Sequence, residues 1–105
     1  MKWDEFDWLD GEVTHWDLDV LDPRRPLTEQ VEGLKEDLAQ VQYGERMLVD
    51  VGWYPDCSPE GRFVVLVVRD GQWDAPVSRF EARSFEELAT SIGVAAQRAK
   101  KALKA

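Results

Sequence analysis

At 105 residues with 44% hydrophobic content, the chain can bury one core without metal or disulfide, which makes residues 1–105 a single domain. Its formal net charge of −8, from 21 acids against 13 Lys and Arg, repels a phosphate backbone and argues against direct nucleic-acid binding. The lone Cys57 cannot close a disulfide within the chain, no apolar stretch reaches membrane-spanning length, and residues 1–5 (MKWDE) lack the positive start of a signal peptide. The expectation is a soluble, cytoplasmic protein without a membrane partner.

In chain order, Trp16, Leu18 and Val20 alternate with Asp17 and Asp19, a period of two that predicts a half-buried strand. Trp3, Phe6 and Trp8 share no clean period, and Asp10-Gly11 is a turn signal, so residues 1–11 read either as a hairpin strand or as an irregular arm. Two prolines make residues 22–26 a loop. Leu27, Val31, Leu34, Leu38 and Val41 then recur at spacings of four, three, four and three. With Thr28 as N-cap and Gly44 as terminator, they predict a helix.

From residue 46 to 54 the period returns to two, with Met47, Val49, Val51 and Trp53 on one side, and a strand is expected. Residues 63–68 (FVVLVV) are apolar on both faces and rich in β-branched side chains, the composition of a central strand. Asp70-Gly71 is a hairpin signal that returns the chain through Trp73 toward Phe80. Pro76 makes that return an edge strand with a bulge near Ala75. Ser84 followed by Glu87 is a capping box opening a second helix, with Leu88, Ile92, Ala95, Ala96, Ala99 and Leu103 as its apolar stripe. The expected fold is α+β, an antiparallel sheet of about four strands with two helices packed on it.

Catalytic chemistry finds little support in the residue types. His15 and Asp17, two apart on a strand, share a face but lack a nucleophile and an oxyanion hole. Asp56 and Glu60 flank Cys57 and raise rather than lower its pKa. One His and one Cys make no familiar zinc set, and the scattered glycines form no phosphate loop, so neither catalytic residues nor a metal or cofactor are expected.

What the chain does offer is segregated charge and five tryptophans. The first 22 residues hold eight acids opposed only by Lys2, whereas Arg98, Lys100, Lys101 and Lys104 crowd the other end. Aromatic anchors ringed by charge are a common hot-spot composition, which makes Trp3, Asp4, Glu5, Asp7, Trp8, Asp10, Asp17 and Asp19 the candidate binding surface for a basic protein. The same acids also serve solubility, and Trp3 and Trp8 also fit a role pinning the N-terminal arm to the domain.

Residues 67–76 (VVRDGQWDAP) and 79–88 (RFEARSFEEL) resemble the strand, hairpin, edge strand and helix that end small immunity proteins encoded beside bacterial polymorphic toxins. The resemblance implies a non-enzymatic inhibitor whose acidic surface covers the active site of a basic cognate toxin, such as a nuclease or deaminase. An adaptor or effector chaperone for a basic partner is the alternative class.

Overall fold

Alternating and β-branched sequence dominates the architecture. A computed structural model of the chain describes residues 1–104. Five strands, β1 (Glu12–Trp16), β2 (Ala39–Tyr43), β3 (Met47–Tyr54), β4 (Arg62–Arg69) and β5 (Ser78–Ala82), pair antiparallel in chain order as one meander. One helix, α1 (Phe85–Leu103), follows. The α+β class stands as expected; among the described residues the count is five strands and one α-helix rather than four and two.

The helix expected from residue 28 is the main correction. Its segment instead forms two short 3₁₀ turns, Leu27–Glu29 and Val31–Gly33, and then runs into β2. The backbone finds partners outside itself: Lys35 O accepts from Trp53 N at 2.8 Å, Leu38 N donates to Val51 O at 3.0 Å, and Leu34 O accepts from Cys57 N at 2.7 Å. Gln30, 7% exposed, accepts from Asp22 N and donates to Asp22 O and Arg25 O, which fastens the proline loop to the turns. Long-range pairing thus satisfies the groups that an isolated helix would have satisfied locally. Gly44 does not end a helix; at φ +60° it turns β2 into β3.

The strand expected from the alternation of Trp16, Leu18 and Val20 is a second correction. β1 lies before it and includes only Trp16 of the three, while Leu18–Val20 is a 3₁₀ turn with Leu18 buried and Val20 exposed. Leu9 (φ 51°) and Asp10 (φ 75°) form the turn before β1, with Gly11 N donating to Trp8 O. What precedes that turn is an irregular arm with a short 3₁₀ turn at Trp3–Glu5. Residues 63–68 lie in β4, an interior strand between β3 and β5, while β3 is the middle of the five. Asp70 (φ 52°) and Gly71 (φ 70°) make the expected tight turn, but β5 starts only at Ser78 and leaves Trp73 outside the sheet.

Register sorts the side chains onto two faces. Val41, Val49 and Val67 stand in one row, and Ala39, Val51, Val65 and Phe80 in the next, on the face that α1 covers. α1 opens as its capping residues predict, Ser84 Oγ accepting from Glu87 N at 3.1 Å, and it buries Leu88, Ile92, Ala95, Ala96 and Ala99 against β3, β4 and β5. Leu103, expected on the same stripe, is exposed. Near β2 the cover comes from the arm: Trp8 joins the core at 6% exposure, and Gly11 passes so close to Tyr43 and Val41 that a Cβ there would meet the tyrosine ring at 2.6 Å.

Among the described residues no α-helix covers the opposite face. It shows Gln40, Asp50, Leu66 and Arg79 in one cross-strand row and Gln42, Leu48 and Val68 in another. Among the described residues no helix is long and apolar enough to cross a membrane.

Candidate functional site

The N-terminal acids and aromatics are organised by three tryptophans with different tasks. Phe6, Trp8 and Trp16 pack as a tilted aromatic trio with centroids 5.5 to 5.9 Å apart. The Trp8 indole donates to Trp3 O at 2.8 Å, and the Trp16 indole donates to Met1 O at 2.8 Å and to Asp19 Oδ1 at 3.0 Å. The arm is therefore held by its backbone carbonyls. The Trp3 ring takes no part in those bonds and is 52% exposed.

A cleft of about 430 Å³ opens between the arm and β1, lined by Trp3, Trp8, Val13, Thr14, His15 and Trp16. β1 is an edge strand, paired only with β2. Its register slips between Val13 and His15, and Thr14 Oγ1 donates to Gln40 O at 3.2 Å.

Of the acids singled out from sequence, Asp4, Glu5, Asp7 and Asp19 are exposed and Asp17 is half-buried. Asp10 is held by its own chain, because its carboxylate meets the Lys100 ammonium. That hydrogen bond and charge keep Asp10 below the ordinary carboxylate range. The acidic and basic ends of the sequence thus touch at one point, which draws together part of the charge separation read from the sequence. Trp8 is buried, so Trp3 alone of the two candidate anchors is accessible to a partner.

Sequence reasoning paired His15 with Asp17 but missed the other two acids, Asp37 and Asp50, that the fold gathers beside them. His15 Nε2 lies 3.5 Å from Asp17 Oδ2, 3.3 Å from Asp37 Oδ1 and 3.2 Å from Asp37 O. Beside it Asp50, 6% exposed on the helix-free face, accepts from Gln40 Nε2 at 3.1 Å. Burial pushes the Asp50 carboxyl up, with the Asp37 charge adding to the rise and the Gln40 hydrogen bond and His15 opposing it. Asp37 and Asp50 carried a signal only once β2 was recognised as a strand, because only the sheet brings residues 15, 37 and 50 together.

Elsewhere, Cys57 is exposed and its Sγ donates to Asp56 Oδ1 at 3.3 Å, which raises the thiol pKa. The Tyr43 hydroxyl is enclosed beneath the arm without a hydrogen-bond partner, and burial together with the Asp7 charge pushes it up to about 12. Among the described residues no three His, Cys, Asp or Glu side chains converge to hold a metal ion.

Fold and site together define a one-helix α+β protein with an acidic, aromatic-lined edge strand. No family model, no curated protein and no solved structure matches the chain.

Proposed function

We propose that the chain is a cytoplasmic, non-enzymatic protein-binding module that recognises a basic partner through the acidic border of β1, and that it acts as an immunity protein neutralising a cognate bacterial toxin domain. The observation that carries the binding reading is the accessible Trp3 ring beside an aromatic-lined cleft, with Asp4, Glu5, Asp7, Asp17 and Asp19 on or near the same segment. A central apolar anchor inside a charged rim is the usual arrangement of a protein interface. The rim acids steer a cationic partner toward the site, and the anchor determines how long it stays. The immunity reading rests on the resemblance of residues 67–88 and on the fit between an acidic surface and a basic enzyme.

Co-expression with toxin domains encoded beside the gene tests this reading. Growth rescue from one of them is expected, and it should be lost in the Asp4→Lys, Asp7→Lys, Asp17→Lys triple variant. Absence of any rescue overturns the immunity reading. If a partner's solubility rises while its activity persists, the adaptor class takes its place. Rescue that survives the triple charge reversal moves the interface away from β1.

A further inference from the structure

We infer that the partner docks as an added β-strand on the free edge of β1, through an extended segment whose side chains alternate between basic and apolar. The inference rests on the proposed recognition of a basic protein and specifies how the recognised segment is shaped.

Two observations establish the edge. β1 hydrogen-bonds on one side only, to β2, and among the described residues no backbone group of Glu12–Trp16 bonds to the arm or to any other segment. The outward N–H and C=O groups of the strand are thus open to a second chain, the situation that favours strand addition. Five residues at about 3.4 Å each present roughly 17 Å of edge.

The pleat then dictates the partner's pattern, since alternate side chains of an added strand continue the two faces of the sheet. On one face Val13 and Trp16 stand opposite the buried Val41 and Ala39, and the exposed Trp3 ring borders the cleft beside them. Apolar side chains of the incoming strand enter there. On the other face Glu12 and His15 stand opposite Gln42 and Gln40, with Asp17 and Asp37 gathered around the imidazole. Lys or Arg at the alternate positions meets those carboxylates. The Thr14 bulge divides the edge into two short pairing stretches, so the segment is short as well.

The other edge does not offer this combination. Glu81 of β5 is engaged by both Arg62 and Arg79. The cleft next to it is lined by Glu81, Ser84, Glu86, Glu87, Thr90 and Ser91, without an apolar side chain. A basic segment finds charge there but no floor for its apolar face, and the cleft at the start of β5, which does hold Val77 and Ala102, is lined by Arg69, Arg98 and Lys101, which repel it.

The probe is a synthetic peptide of about eight residues alternating Lys and Val, compared with a block peptide of the same composition. Two further versions are N-methylated at one or the other set of alternate residues. Titration of the full chain at low and high salt should show the alternating peptide binding at least about ten-fold more tightly than the block peptide. One N-methylated set should abolish binding and the other leave it, because only one set of N–H groups faces β1. Amide exchange within Glu12–Trp16 should slow on binding, a readout that needs no substitution. Equal binding by alternating and block peptides, insensitive to either N-methylation but weakened by salt and by charge reversal at Asp4, Asp7 and Asp17, overturns strand addition and leaves basic-partner recognition standing. Binding that ignores salt and charge reversal, or no peptide binding at all, overturns both.

Discussion

The two edges of the sheet were left open by different sequences. β5 follows a segment containing Pro76, and its exposed Glu81 is engaged both by Arg62 of β4 and by the exposed Arg79 of its own strand. On its inner face Phe80 lies under the Arg98 guanidinium, 5.3 Å from the ring centroid. The Glu81 carboxylate on that edge thus has partners within the chain, and the exposed Val77 before it lies in a cleft lined also by Arg69, Arg98 and Lys101, whose charge repels a basic segment. β1 keeps an aromatic cleft, and among the described residues Asp10 near it pairs with Lys100 and Asp17 with His15, while Asp4, Glu5, Asp7 and Asp19 form no salt bridge. An edge whose charges are internally neutralised discourages association, and one that leaves charge and an apolar floor unpaired invites it.

The comparison can be tested first through its tryptophans. Trp8→Ala removes a core side chain and should destabilise the protein by about 3–5 kcal/mol, a large share of a small domain's stability, seen as a lower Tm. A melt unchanged by that substitution would mean that the arm is not part of the folded core. Trp3→Ala should behave oppositely. Its carbonyl, which the fold uses, survives the change, so the melt should hardly move, while partner binding should weaken by about 2 kcal/mol, or roughly 30-fold.

Charge supplies the next contrast. Reversal of Asp4, Asp7 and Asp17 to Lys should slow association with a basic partner by about ten-fold at low salt, with little effect at high salt. Per charge reversed, Glu86→Lys and Glu87→Lys by the β5 edge should slow it far less. Stopped-flow rates over a salt series separate the two edges, and equal slowing from both would mean that net charge alone attracts the partner.

A smaller effect is expected at Asp50. Its folded-state pKa lies above the unfolded value because burial disfavours the carboxylate. The native state therefore binds the proton more tightly, and stability contributed by this group falls as pH rises from the ordinary carboxylate range through the raised value. Asp50→Asn should lift the Tm at neutral pH and leave it unchanged well below pH 4, as thermal melts across that range would reveal. A gain that persists at acid pH would point to packing instead. Least of all should follow from Trp73→Ala. That ring is 47% exposed outside the sheet, and its loss should change stability by no more than about 0.5 kcal/mol in denaturant titrations.

Much of this was legible in the sequence where local signals had no competitor. The alternation at residues 47–53, the β-branched run at 63–68, the Asp70-Gly71 turn and the Ser84 cap each point to one local conformation, and each formed close to its expected place. The exposure of Asp4, Glu5, Asp7 and Asp19 followed their charge, whereas which indole faces solvent depended on packing: Trp3 is exposed and Trp8 is buried.

The sequence by itself determined the α+β class, the inner faces of β3 and β4, and the opening of the closing helix, because those patterns repeat over several residues with one period. Only the tertiary structure decided the fate of residues 27–43, where Leu27, Val31, Leu34, Leu38 and Val41 fit a helical stripe while Ala39, Val41 and Tyr43 fit a strand. Val41 serves both periods, and the choice fell to the open edge of β3, whose backbone groups at Val51 and Trp53 take up the Leu38 and Lys35 partners that a helix would have kept for itself. The same choice made β2 the neighbour of β1, brought Asp37 and Asp50 to His15, and so completed the acidic border that no local pattern contained.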